Sequence, residues 1–169
     1  MSREGTVTVV AWPHLTAAER GAVAALQISA AQLEFAGPVA RSVAACGAGD
    51  PADVAGLAIR ADDDIVGWVV LKRGAAAPDW VAQEAAVVSG LRIDLRHQGR
   101  GIGAAALAAM AHWVAQHWPA TSLLTLRVDD DNAAGIRAYD KAGWAETGER
   151  RVGRVGVERT MSLRLPSAR

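Results

Sequence analysis

Gly99, Gly101 and Gly103 stand at alternate positions in LRHQGRGIGAAAL (residues 95–107), where a basic, polar loop becomes an alanine-rich helical run. Without a Cβ, backbone N–H groups at such a turn can converge on an anion at the positive end of a helix dipole. Glycine inside a helix costs up to about 1 kcal/mol relative to alanine, so three at a helix start call for a reason. A nucleoside triphosphate loop requires Gly-Lys-Ser/Thr after its glycines, and this chain has Gly103-Ala104-Ala105 instead. A dinucleotide fold fits better at first sight, because Gly99-x-Gly101-x-x-Ala104 is a variant of its fingerprint. Two spacings oppose it. Polar DLRHQ separates Ile93 from Gly99, and the acid closing the next strand, Asp129, lies 30 positions after Gly99 where about 20 is usual. The dinucleotide reading is weakened but stays open, beside a cradle for some other phosphate and a purely structural turn.

Other residues able to do chemistry are few. Tyr139 is the only tyrosine and Cys46 the only cysteine, so no internal disulfide forms. His112 and His117 follow the glycine turn with no third ligand at a sensible spacing, so no metal site is expected. Acidic and basic residues balance at 18 each. Without the field of a basic protein, a nucleic acid partner is not expected. Residues 101–126 lack Asp, Glu, Lys and Arg over a spanning length, but His112, Gln116, His117 and Pro119 interrupt a mostly alanine run, and no membrane partner is expected. The N-terminus MSREGTVTVV lacks the apolar run of a signal peptide, which points to the cytoplasm.

The elements that must position these groups can be drawn from local signals. TVTVVAW (6–12) reads as a strand ended by Pro13. Thr16 and Glu19 make a capping box for a helix over AAERGAVAALQ, and SAAQLEFAG reads as a second helix broken at Pro38, with loop at 46–53. VAGLAIR and IVGWVVLKR around an acidic turn form a hairpin. Residues 83–95 form a long strand in which Ser89-Gly90 suits a bulge. After the glycine turn, Leu107, Met110 and Val114 share a helix face, SLLTLRV (122–128) is a buried strand, and Asn132 caps a helix that leaves at Gly143. Alternation at Val155, Val157, Met161, Leu163 and Leu165 gives a closing hairpin. The result is a mixed α/β sheet of six or seven strands in one domain, with one βαβ crossover over 86–128, and the length is that of one domain. Trp68, Trp80 and Trp113 are expected in the core.

LRIDLRHQGRGIGAAAL resembles the acetyl-CoA signature of the GCN5-related N-acetyltransferases (GNAT), Gln/Arg-x-x-Gly-x-Gly/Ala after a strand of alternating apolar residues. Gln98, Gly101 and Gly103 hold its three defining positions. A second signature of that family, an Asn leading a helix that ends in Tyr and then Gly-aromatic, is matched by Asn132, Tyr139, Gly143 and Trp144. The two come in the family's order and together cover residues 86–148. The resemblance implies the α/β (α+β) GNAT fold, a mixed six- or seven-stranded sheet flanked by about four helices with a splayed cleft between strands four and five, and one acetyltransferase domain over residues 1–169.

It also implies acetyl-CoA as co-substrate, with no metal, and acetyl transfer to a primary amine by direct attack. Leu91 and Ile93 would bond the pantetheine through their backbones, and a backbone N–H near Ile93 would serve the oxyanion. Main-chain amides of Gln98, Gly99, Arg100, Gly101, Ile102, Gly103 and Ala104 would hold the pyrophosphate, with the Arg100 side chain steering or pairing with phosphate. Asn132 would touch the pantetheine arm, and Tyr139 would stand beside the thioester sulfur as general acid. The base is open: the strand-four glutamate of some members falls on Val87 here, so Glu84, three residues earlier, would serve if a bulge resets the register, with Asp94, Glu34 or a water relay as alternatives. QLEFAGPVARSVA (32–44) and the hairpin after it are similar to the polyamine (spermine/spermidine) acetyltransferase branch, although Arg150, Arg151, Arg154 and Arg159 suit a polycation poorly. An aminoglycoside, an amino acid, another small amine or a protein N-terminus or lysine are alternative acceptors. The rival in another class is a non-catalytic acyl-CoA sensor. Dimers are common in the family, so a homodimer is an expectation too.

Overall fold

The computed structural model describes residues 5–166. Seven strands form one sheet in the order β1 (Val7–Ala11), β2 (Val54–Ala61), β3 (Asp64–Lys72), β4 (Ala85–Ile93), β5 (Leu123–Asp129), β7 (Val157–Arg164), β6 (Ala145–Val152). Every pairing is antiparallel except β4 with β5, the two arms of the expected crossover, joined by helix α4 (Ile102–His117).

Helices α1 (Ala17–Ala24), α2 (Ala30–Ala36) and α3 (Val39–Ala48) separate β1 from β2. Two capping boxes start the first pair: Thr16 with Glu19, as expected, and Ser29 with Gln32. Residues 39–48 depart from the sequence reading, which gave no helix there. Pro38 ends α2 but also supplies the fixed φ of a helix entry, −63°, and stands as the N-cap of α3. Helix α5 (Ala133–Lys141) fills the gap between β5 and β6.

One face of the sheet buries Leu57, Val69, Leu71, Leu124, Leu126 and Val128 against Leu107, Met110 and Val114 of α4. The other packs Ala58, Trp68 and Val70 against Val23 of α1 and Val39 and Val43 of α3. Trp68 is fully buried, as expected, and Trp113 packs on the α4 side, whereas Trp80 is only half-buried and joins neither cluster. The loop after β3 lays it instead over Arg127 of β5.

The sheet splays apart between β4 and β5. Their pairing runs only from Ala85↔Leu123 to Val87↔Thr125. Beyond that point β4 follows β3 while β5 follows β7. The expected bulge is the cause: Ser89 pairs with Val70 and Arg92 with Trp68, leaving Gly90 and Leu91 opposite Val69 alone. Gly90 holds φ +63°, the left-handed value that an L side chain resists, and the extra residue bends β4 off its neighbour.

Arg92 locks the bend. It is 4% exposed and donates from Nε to the Gly90 carbonyl (3.1 Å), from Nη1 to Gly37 (2.6 Å) and from Nη2 to Ala36 (3.0 Å). The last two carbonyls close α2, so a buried cation sits at the negative end of that helix. Burial pushes its pKa down from the ordinary arginine value.

Candidate functional site

The splay opens a cavity of about 560 Å³ walled by α2, the end of β4, the glycine turn and α5. The turn has the conformation its composition called for. Gly99 and Gly101 both hold φ +76°, and Gly101 is the left-handed N-cap of α4 with no side chain capping it. The first intrahelical bond is donated by Ala105 to the Gly101 carbonyl (3.2 Å). The amides of Ile102, Gly103 and Ala104 therefore have no helical acceptor, and all three residues line the cavity.

Cations gather at this end. Arg137 and Lys141, neither anticipated from sequence, line the cavity from α5, and Lys141 Nζ lies 3.7 Å from where a Cβ on Gly101 would stand. No described carboxylate lines the cavity. An anion at the turn would meet a helix N-terminus and fixed positive charge together.

Leu91, Ile93, Gln98, Gly99, Gly101, Ile102, Gly103, Ala104, Asn132 and Tyr139 are brought together around this one space. Arg100 is not: it is exposed and is not among the residues that line the cavity. The Gln98 side chain is engaged in the protein, donating to the Ile93 carbonyl (2.8 Å) and exchanging hydrogen bonds with Gln32 of α2 (3.0 and 3.1 Å). Asn132 caps α5 by accepting from the Gly135 N–H (3.1 Å). Tyr139, on the last turn of α5, packs its ring 5.8 Å from that of Trp144. Burial pushes its phenol up to about 12.

The carboxylates weighed from sequence fare differently. Glu84 is exposed in the loop before β4, nine residues and about 30 Å of extended strand from Ile93. The bulge that was to reset its register lies beyond it, at Gly90, and leaves it outside the cavity. Glu34 is exposed and also off the lining. Asp94 is 1% exposed; burial pushes its pKa up, but hydrogen bonds from the Arg96 side chain, the Gln27 N–H and the Arg96 N–H outweigh this and bring it to about 2. Asp129, which sequence reading weighed only as a dinucleotide acid, ends β5 and lines neither cavity. Its Oδ1 is buried without a hydrogen-bond partner, and burial raises its pKa above the ordinary value.

A second cavity of about 450 Å³ adjoins the first along β4. Val87–Gly90 line it where Leu91–Ile93 line its neighbour, and Trp80, Arg127, Arg151, Arg154 and Glu158 complete its walls. Arg154, at the β6–β7 turn, donates to the Glu34 carbonyl and so ties that turn to α2.

Residues 23–144 match the model of the acetyltransferase (GNAT) family. Among curated proteins none matches significantly. Solved structures share the fold at low identity. An aminoglycoside acetyltransferase in complex with coenzyme A superposes with a TM-score of 0.71 at 16% identity, covering 94% of each chain. The GNAT domain of S. lividans PAT gives 0.70 at 22% identity, over 93% of this chain and 89% of that one. Spermidine N-acetyltransferase from Vibrio cholerae, in complex with coenzyme A and spermine, gives 0.70 at 15% identity, over 94% and 95%.

Proposed function

The chain belongs to the GNAT family of acetyltransferases, and on that premise we propose that it transfers the acetyl group of acetyl-CoA to a primary amine of a small molecule by direct attack. One observation carries this reading. The glycine turn, Asn132 and Tyr139, separated by up to 40 positions in the chain, line one cavity that is cationic at the turn and holds a half-buried phenol.

The residues fit the coenzyme. The free amides of Ile102, Gly103 and Ala104, with Lys141 beside them, suit its pyrophosphate. Leu91 and Ile93 present β4 backbone that has lost its β5 partner, which suits the amide-bearing pantetheine arm. Bound acetyl-CoA supplies the activated acyl group. With its pKa near 12, Tyr139 stays protonated through the neutral range and can give its proton to the leaving sulfur. Asp129 lines neither cavity, so its unpartnered oxygen and raised pKa suit it to take the acceptor's proton through a water relay rather than by direct contact. Asp94, held near 2 and fully hydrogen-bonded, is a poor base.

The test is thiol release from acetyl-CoA across a panel of amines. Amine-dependent release supports the proposal. Saturable acetyl-CoA binding without turnover on any amine would favour a non-catalytic acyl-CoA sensor.

A further inference from the structure

The second cavity is electrostatically lopsided. Arg127, Arg151 and Arg154 line it against a single carboxylate, Glu158. Alternation along β5 sends Leu124, Leu126 and Val128 into the core and turns Arg127 to this opposite face. There the Arg127 guanidinium carbon lies 3.9 Å from the centroid of the Trp80 ring. The stack holds the fork in one orientation.

Among the described residues no carboxylate pairs with that fork at close range, and Glu158 and Glu149 act on it only from a distance. None of the ion pairs among the described residues includes Arg127, Arg151 or Arg154. On the other face of the same strands, by contrast, Arg150 and Arg159 are paired with Asp130 and Glu146. Nε and Nη1 of Arg127 are buried without a described acceptor. Burial, and then the neighbouring charge of Arg151, disfavour its cationic form. Nη2 is the nitrogen of the fork left open, and a carboxylate or phosphate there would bring the close counter-charge that Arg127 lacks.

The cavity's position gives this charge a use. Its lining on β4 ends at Gly90, and the next residue, Leu91, lines the coenzyme cavity, so a molecule seated here reaches the bulge from the side opposite the glycine turn. We propose that this cavity is the acceptor subsite and that it selects amines carrying an oxyanion, a carboxylate or a phosphate, held by Arg127 against Trp80. The proposal rests on the transferase reading above. It makes a zwitterionic amine the preferred substrate and a polycation such as spermidine a poor one.

Matched probes test it. Acetyl-CoA-dependent thiol release is measured with L-amino acids against their carboxamides, with phosphoethanolamine against ethanolamine, and with spermidine and kanamycin. The expected result is a kcat/KM about 10- to 100-fold higher for one oxyanion-bearing member than for its neutral partner, the range one charge-assisted pairing gives. The amino acid and phosphoethanolamine arms tell carboxylate from phosphate. Arg127→Gln is expected to erase the difference through the acceptor KM, with the acetyl-CoA KM unchanged, and the more exposed Arg151→Gln to weaken it in part should Arg127→Gln fold poorly. Equal or better turnover of the neutral partner in both arms, or of spermidine or kanamycin over every oxyanion-bearing amine, overturns the subsite while leaving the transferase reading intact. Calorimetric binding of the same probes to the protein saturated with coenzyme A separates the converse case. Arg127-dependent binding without turnover upholds the subsite and removes the transferase reading, and binding that Arg127→Gln leaves unchanged overturns the subsite.

Discussion

Replacing Asp94 by asparagine tests how the end of β4 is held. Oδ1 accepts from the Arg96 N–H (3.0 Å) and Arg96 Nε (2.9 Å), and Oδ2 accepts from the Gln27 N–H (3.0 Å). The Asp94 N–H in turn donates to the Val66 carbonyl (2.8 Å), so this residue ties β3, β4 and the α1–α2 connection together beside Ile93. An amide of the same shape keeps one acceptor oxygen, loses the charge and leaves at least one of these donors unpaired. The folded pKa of about 2, against an ordinary 3.8, converts to about 2 kcal/mol in favour of the ionised form, at about 1.4 kcal/mol per unit. The Arg96 side-chain hydrogen bond is the largest of the favourable causes, ahead of the Gln27 and Arg96 N–H donors, but Arg96 is 79% exposed and its share is screened by solvent, which makes this an upper value. Because the folded pKa is depressed, the stabilisation is complete above the unfolded value and disappears as pH falls through the folded one, between about pH 4 and pH 2. Asp94→Asn should therefore cost up to about 2 kcal/mol at pH 7, or about 4–8 °C in Tm for a chain of this size, and almost nothing at pH 2. Urea unfolding of both proteins at pH 7, 4 and 2.5 reads the difference directly. A gap under about 0.5 kcal/mol at pH 7, the scale of an unremarkable surface change, or one that does not narrow on acidification, refutes the reasoning.

Arg92→Met should destabilise by about 2–3 kcal/mol in urea unfolding, since it strands the Ala36, Gly37 and Gly90 carbonyls in a buried site, and Arg92→Lys should recover only part of the loss. Gly101→Ala places a Cβ at φ +76° and should cost about 1–2 kcal/mol in the same assay while weakening acetyl-CoA binding in calorimetry. Asp129→Asn should lower kcat and remove the acidic limb of its pH profile, with acetyl-CoA affinity unchanged.

What sequence could show was what is local. The Thr16–Glu19 box and the Asn132 cap depend on partners within a few residues and formed as read, whereas the left-handed φ of Gly99 and Gly101 is the structure's addition to a glycine turn read without it. The bulge was legible for the same reason, through Ser89-Gly90. Arg92 looked like one more strand residue because the carbonyls that hold it lie 55 and 56 positions away, on a helix whose docking no periodicity encodes. Asp94 was weighed as a base because its partner at Gln27, 67 positions off, was invisible. Trp80 and Arg127 meet only because the splay turns both into one cavity. Glu84 failed on a local matter: a bulge resets only the residues beyond it, and Gly90 comes after Glu84. Helix α3 was missed because proline signals an end and a beginning alike.

The measurement that bears most directly on the transferase account is the rate of acetyl transfer by Tyr139→Phe, set beside its Kd for acetyl-CoA. The substitution removes one hydroxyl from a ring otherwise held by α5 and Trp144, so the cavity keeps its shape. The account predicts a fall in kcat of about 10²- to 10⁴-fold, the range of general acid catalysis, with Kd changed by less than about threefold. An unchanged kcat would contradict it and remove Tyr139 from the chemistry.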